Sequence, residues 1–266
     1  MRFDGKVGLI TGAASGIGRA TAIGFAKAGG TVALADLNKA AAAVVVAEIT
    51  AEGGSATAIS ADLTKPADIE AMIARTLDDF GRIDVLHNNA FGVPAILQRG
   101  RIARVAEIDQ DVWDYTLQVG LTAVMQATRA VLPLMQKQGG GAIVNTASVS
   151  GLFGDYGLAA YNAMKAAVVN FTRVVAMEYA GDNIRCNCIC PGAIDTPLLQ
   201  RSLTTISGFA DATIAAIPMG RLGTPAEMAN VALFLASDLA SYVTGSAFVA
   251  DGGLTAKTGL PTRFRN

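Results

Sequence analysis

Tyr161 and Lys165 stand four residues apart in "YNAMK", a spacing that puts both on one face of a helix. A free phenol has a pKa of about 10, and a nearby ammonium favours its ionised form. A tyrosine tuned in this way can take a proton from an alcohol. Ser148 lies thirteen residues ahead of Tyr161. Its hydroxyl can hydrogen-bond the same substrate oxygen and steady the charge that develops there. Taken singly, a Tyr-x-x-x-Lys spacing recurs by chance, and a surface Tyr/Lys pair is its ordinary reading. The set gains meaning only from the elements that hold it.

Those elements alternate. Short apolar runs read as strands at 6–12, 31–36, 55–62, 83–90, 141–148, 183–192 and 245–253. Helical patterns fit between them at 16–28, 40–52, 66–80, 112–138, 159–179 and 225–236. Such alternation predicts an α/β fold: one doubly wound, Rossmann-type parallel β-sheet with helices on both faces, in a single domain. Ser148 then falls at the carboxyl end of the fifth strand and Tyr161 at the start of the next helix. Two stretches break the alternation, 91–110 and 193–224. Both leave the carboxyl edge of the sheet, where open α/β sheets bind ligands, and are the expected substrate walls.

The first strand runs into "TGAASGIG", with Gly12, Gly16 and Gly18 where it turns into the first helix. Glycine lets the backbone turn tightly and approach a pyrophosphate, and the helix N-terminus offers free N–H groups and positive potential. Packing glycines are the ordinary alternative. Asp36 ends the second strand, where a carboxylate can bind both hydroxyls of an adenine ribose and would repel a 2′-phosphate. Leu37, not arginine, follows it, so NAD is expected over NADP. Lys39 argues mildly the other way, and a turn-capping carboxylate is the alternative reading of Asp36.

The 266 residues are 52% hydrophobic and 16% charged, with a net charge of −1. The balance indicates no basic face for nucleic acid. The longest apolar runs are too short for a membrane span. The chain passes from "MRFDGK" into its first strand without a leader-like segment, so a cytoplasmic location is expected. Cys186, Cys188 and Cys190 alternate along one predicted strand and share a face. They read as buried core thiols, and no metal site is expected.

Together these motifs resemble the short-chain dehydrogenase/reductase (SDR) family almost from end to end. The match runs through "TGAASGIG" (11–18), Asp36, "AD" at Ala61–Asp62, "NNA" at 88–90, Ser148, "YNAMK" at 161–165, "PGAIDT" at 191–196 and "YVTGSAFVADGG" at 242–253. The resemblance implies a catalytic set of Ser148, Tyr161 and Lys165, with Ser148 chosen over Ser150 by its offset from Tyr161. It implies cofactor contacts from Gly12, Ser15, Gly16, Ile17 and Gly18 in the first turn, and from Asp36 and Leu37 at the ribose. It further implies Asp62 near the adenine, Leu63 among the cofactor contacts, and Asn89 and Ala90 along the cofactor. It implies Ile194 and Thr196 at the carboxamide, Pro191 and Gly192 among the cofactor contacts, and Lys165 on the nicotinamide ribose, with Tyr161 also touching the cofactor. It implies a homotetramer or homodimer formed through the helices at 112–138 and 159–179. Residues 1–253 form the expected cofactor-binding and catalytic domain, and 254–266 a C-terminal extension beyond the family's usual end.

Two residues depart from the family pattern. Phe91 stands where glycine usually follows "NNA"; it either narrows the substrate mouth or marks a loop shifted by one residue. Gly120, in "VGL", replaces the asparagine that completes a catalytic tetrad. A glycine inside a helix costs roughly 1 kcal/mol relative to alanine. Gly120 still has the backbone carbonyl that the family's relay uses, and it permits a local break in the helix. Close packing against another helix is the other explanation.

His87, the one histidine, is expected to be structural, and Trp113 to be packing. Arg99, Arg101 and Arg104 form a basic loop, solvated or gripping an anionic substrate group. Phe91, Leu152, Phe153, Tyr156, Leu198, Leu199 and Phe209 are expected to make an apolar pocket. The reading that follows is an NAD-dependent oxidoreductase interconverting a hydrophobic, cyclic or aromatic secondary alcohol and its ketone. A 3-hydroxyacyl-thioester dehydrogenase or 3-oxoacyl reductase is the alternative within the same chemistry. A catalytically impaired NAD-binding protein is the alternative of another class.

Overall fold

Strands that are apolar on both faces must be covered on both faces, and the sheet here is. The computed structural model describes residues 1–91, 103–205 and 208–257. Seven parallel strands lie in the order β3-β2-β1-β4-β5-β6-β7. They are β1 Val7–Thr11, β2 Thr31–Asp36, β3 Ser55–Ser60, β4 Val85–Asn88, β5 Gly141–Thr146, β6 Ile184–Pro191 and β7 Ala247–Ala250. On one face lie α3 (Pro66–Phe80), α5 (Ala123–Gln138) and α6 (Ala159–Tyr179), burying Met72, Met135 and Val175 against Leu9 and Ile143. On the other lie α1 (Gly16–Lys27), α2 (Lys39–Ala51) and α9 (Pro225–Ala236), burying Phe25, Val45 and Leu233 against Ile10 and Val144. Neighbouring strand residues thus feed opposite cores, as a period of two dictates. The order reverses between β1 and β4, and this switch point opens the crevice at the carboxyl edge.

The strands at 55–60, 85–88 and 141–146 stop short of the apolar runs that predicted them. The reason is hydrogen bonding. Past Asn88, the backbone N–H groups of Asn89 and Ala90 donate to the Thr11 hydroxyl at 3.0 and 3.1 Å and leave the ladder. The second irregular stretch forms two further helices, α7 (Pro197–Thr205) and α8 (Phe209–Ala216). Cys186, Cys188 and Cys190 are buried. Burial pushes the Cys186 thiol up to about 12, which keeps it un-ionised. After β7, Asp251 accepts from Thr255, and Lys257 donates to the carbonyl of Ala216, so the first residues past 253 lie against the body. Residues 258–266 of the predicted extension lie outside the described residues.

The long helix predicted at 112–138 is divided. It runs as α4 (Gln110–Leu117), then a π-helical turn at Gln118–Thr122, then α5. In that turn the N–H of Ala123 reaches back five residues to the carbonyl of Gln118. Gly120 sits in the middle of the turn, buried, where the helix is locally broken and packs closely against α6. A Cβ there would lie 2.5 Å from Sδ and 2.8 Å from Cγ of Met164 on α6. The thioether occupies the volume that a side chain at 120 would take.

Gly120→Ala is therefore expected to lower the unfolding free energy by about 1–2 kcal/mol, because overpacking outweighs the gain in helix propensity. In a Met164→Ala background the same change is expected to stabilise instead. Urea unfolding of the four proteins in this cycle checks the sign reversal.

Candidate active site

The chain leaves each of β1, β4, β5 and β6 at the same edge, and the turns there form one cavity of about 1140 Å³. Among the predicted site residues, Gly12, Ser15, Gly16, Ile17, Asp36, Leu37, Asp62, Leu63, Asn89, Ala90, Ser148, Tyr161, Lys165, Pro191, Gly192, Ile194 and Thr196 all line it. Gly18 does not. It is buried behind the turn, where a Cβ would come within 2.3 Å of the Gly12 carbonyl and 2.5 Å of Asn89 Nδ2. Its role is to let helix and turn approach.

At one end of the cavity the turn between β1 and α1 is held from three sides. Gly12 has φ +65°, in the left-handed region, and a Cβ there would lie 2.8 Å from Ala90 Cα. Asn89 Nδ2 donates to the carbonyls of Thr11 and Gly12 at 3.1 and 3.3 Å. Asp36 accepts from the N–H of Ala14 and from that of Asn38, each at 2.9 Å. Asp36 thus caps local turns, as its alternative reading held, while also facing the cavity. Ser15 precedes α1 without a side-chain cap, which leaves first-turn N–H groups directed at the cavity end. Asp62 accepts from the Thr64 hydroxyl at 2.7 Å and pairs with Lys65 at 3.2 Å; those contacts hold its carboxyl below the usual range.

At the other end stand Ser148, Tyr161 and Lys165. Ser148 follows β5 and caps a short turn by accepting from the N–H of Ser150 at 3.1 Å. Tyr161 and Lys165 project from the first turns of α6. Lys165 is buried, and its Nζ donates to the carbonyl of Thr146 at 2.6 Å. Burial lowers its pKa to about 8, with negative charge on the neighbouring Cys190 and Cys188 sulfurs acting the other way. Burial also raises Tyr161; a hydrogen bond from Ser148 pulls it down, and Asp155 pushes it up. In the free protein burial thus sets the direction for Tyr161. Nζ lies 5.7 Å from the phenol ring centroid and is turned toward Thr146.

The substrate end departs from the sequence expectation at three positions. Phe91, Leu198, Leu199 and Phe209 line the cavity, but Leu152, Phe153 and Tyr156 are exposed outside it. In their place the wall includes Val112, Tyr115, Thr116 and Val119 of the helix around Gly120. Their spacing of three to four was visible in the sequence, but it read equally as a core-facing stripe. Arg104 is exposed and does not line the cavity. Arg99 and Arg101 lie outside the described residues. Trp113 is partly buried.

His87 lies beneath the cavity, in the interior of β4. Its Nε2 is 2.9 Å from the Thr146 hydroxyl, which itself donates to Asn89 Oδ1 at 3.3 Å. A hydroxyl has one proton to give, so His87 is the donor and carries its hydrogen on Nε2. Burial drives its pKa down to about 3. The ring is neutral at ordinary pH and fixes a link between β4, β5 and the turn after β4.

Fold and cavity define a doubly wound, Rossmann-type protein with its cavity at the switch point of the sheet. The family model described as "Enoyl-(Acyl carrier protein) reductase" matches residues 12–255. A cyclohexanol dehydrogenase of Acinetobacter sp. is 42% identical, over 96% of this chain and 97% of its own. A 3-oxoacyl-[acyl-carrier-protein] reductase of Thermotoga maritima is 41% identical, over 96% and 99%. The crystal structure of a 3-ketoacyl-(acyl-carrier-protein) reductase from Brucella melitensis complexed with NADH superposes with a TM-score of 0.85. It is 37% identical, over 95% of this chain and 99% of that one. That of a putative NAD(P)-dependent gluconate 5-dehydrogenase from Beutenbergia cavernae, with bound NADP at low occupancy, gives 0.88 at 37% identity, over 96% and 99%. The chain belongs to the short-chain dehydrogenase/reductase family.

Titration of His87 has a consequence for stability. Its folded pKa lies below its ordinary 6.5, so the unfolded chain binds more protons between the two values. Stability is then lost as pH falls through that window, by about 2 kcal/mol between pH 7 and pH 5. His87→Gln keeps a donor for Thr146 and removes the titration. Urea unfolding at both pH values is expected to show that much less acid sensitivity in the variant.

Proposed function

We propose that this protein is an NAD-dependent dehydrogenase that interconverts a hydrophobic, cyclic or aromatic secondary alcohol and its ketone. The observation that carries the reading is the convergence of Ser148, Tyr161 and Lys165 on a cavity whose far end is the Gly12 turn and Asp36. The residues present fit a dinucleotide. The left-handed Gly12 and the uncapped start of α1 suit a pyrophosphate. The Asp36 carboxylate suits unmodified ribose hydroxyls and disfavours a 2′-phosphate; exposed Leu37 brings no cation, and Lys39 is the nearby cation on the cavity wall. Asp62 and Leu63 suit the adenine, and Ile194 and Thr196 the carboxamide end. When bound, NAD supplies the hydride acceptor and a positively charged ring.

In the oxidative direction Tyr161 takes the proton of the substrate hydroxyl, and Ser148 donates a hydrogen bond to the same oxygen. Lys165 would hold a ribose hydroxyl of the dinucleotide, and its positive charge stands on the same helix as the phenolate. Burial raises Tyr161 in the free protein, so the phenolate forms as positive charge gathers around it. Phe91, Leu198, Leu199 and Phe209 exclude water and favour an apolar ring over a charged chain. The resemblance to a cyclohexanol dehydrogenase supports this choice; the resemblance to 3-oxoacyl reductases keeps an acyl thioester as the second reading. We further take the chain to form a tetramer or dimer through its long helices. Val174 and Met177 stand exposed on α6, as an apolar contact between copies requires.

Turnover of NAD with a panel of cyclic and aromatic secondary alcohols and of 3-hydroxyacyl thioesters, followed by NADH absorbance, tests the reading. Activity confined to the thioesters favours the second one. Binding of NAD with no turnover of any panel member favours an impaired binding protein. Tyr161→Phe is expected to lose turnover at least a thousandfold while keeping NAD affinity within a few fold, as removal of an essential proton acceptor implies. Asp36→Ala is expected to erode discrimination against NADP by about tenfold or more. An unchanged ratio of kcat/KM for the two cofactors would contradict the ribose assignment.

A further inference from the structure

Lys165 is a buried cation with few partners. The Thr146 carbonyl on β5 accepts its proton at 2.6 Å, and among the described residues no carboxylate forms an ion pair with it. Cys188 and Cys190 face it from β6, Tyr161 from its own helix and Ser148 from the end of β5. Asp155 acts on Tyr161 from beyond. The remaining neighbour is Phe91. Nζ lies 5.4 Å from the Phe91 ring centroid and over its face, and the two aromatic rings meet at 5.2 Å with a tilt of 58°. The ammonium therefore sits in an aromatic corner made by Phe91 and Tyr161. Phe91, Leu117 and Leu121 pack against the buried cluster that includes Met164 and Val168.

The geometry points to Phe91 as a positioning residue for Lys165: its negative ring face keeps the buried ammonium charged and aimed between Thr146 and the cavity. A cation over an aromatic face within about 6 Å is attracted by the ring quadrupole, and more strongly where water is excluded. A leucine of similar bulk would keep water out but has no such face. The inference rests on the proposed dehydrogenase reading for its catalytic consequence and on the geometry alone for its effect on Lys165.

The test separates the two. Nitrogen-15 NMR of lysine-labelled protein, with the Lys165 signal identified by its loss in Lys165→Met, reads the titration of Nζ without any turnover. Phe91→Leu is expected to lower the Lys165 midpoint by about one pH unit, a tenfold loss of proton affinity. Replacement of Phe91 by 4-fluoro-, 3,5-difluoro- and 3,4,5-trifluorophenylalanine withdraws electron density from the face at nearly constant shape. It is expected to lower the midpoint stepwise. In turnover assays the acid limb of kcat/KM should move to higher pH in the same order, because a weaker cation supports the Tyr161 phenolate less. A Lys165 midpoint that stays constant along the fluorinated series overturns the proposal, as does a series that changes KM alone. Absence of turnover in the parent protein overturns the dehydrogenase reading and leaves the NMR arm to decide the role of Phe91. If Phe91→Leu fails to fold, the fluorinated series carries the test.

Discussion

Thr146 is the residue on which both ends of the cavity depend. It is the last residue of β5, and its carbonyl holds the Lys165 ammonium at 2.6 Å. Its hydroxyl accepts from His87 and donates to Asn89, and Asn89 clasps the carbonyls of Thr11 and Gly12. One strand end thus sets the position of the reactive helix and of the glycine turn. Strand pairing makes this dependable: Asn88 is in register with Asn145, and Ile10 with His87, so the three strand ends cannot slide independently. The low dielectric around these bonds strengthens each of them and makes a missing partner costly.

The treatment of buried charge differs between the two edges of the sheet. Asp84, at the amino edge, is buried too, and burial pushes its carboxyl up. Arg82, the N–H of Val7 and Lys6 more than offset that, and its pKa ends below the usual range. That carboxylate is locked in its charged form and serves structure. Lys165 has a carbonyl and two ring faces instead of a counter-ion, and its pKa comes down to about 8. A group poised near neutrality can respond to what binds beside it, which a fully paired one cannot.

The two departures from the family pattern meet on one helix. Met164 fills the space beside Gly120, and Lys165, its neighbour in sequence, faces Phe91. Each departure alone reads as a loss: an aromatic ring in a glycine position, and a missing asparagine side chain. In three dimensions Phe91, Leu117, Leu121 and Tyr161 all pack against the one buried cluster that holds Met164. The helix accommodates the close approach through a π-helical turn, a known device for local adjustment at functional sites.

Strand and helix order, the parallel sheet and the residues gathered at its carboxyl edge were legible in the sequence. Period-two and period-3.6 patterns are local, and the topology of an alternating chain leaves few choices. Asp36, Asn89, Ser148 and Lys165 could be placed near the cavity because each ends a strand or begins a helix. Their partners could not. That Asn89 spends its amide on the glycine turn, that Leu152, Phe153 and Tyr156 point away, and that burial sets the direction for Tyr161 depend on contacts between distant segments. The sequence by itself determined which strand ends and turns gather at the carboxyl edge, since hydrophobic pattern fixes the edge they occupy, but not which side chains wall the substrate end. Only the tertiary structure decided their electrostatics. Desolvation and the aromatic corner around Lys165 arise from side chains 74 residues apart in the chain, brought together by packing that no local pattern encodes.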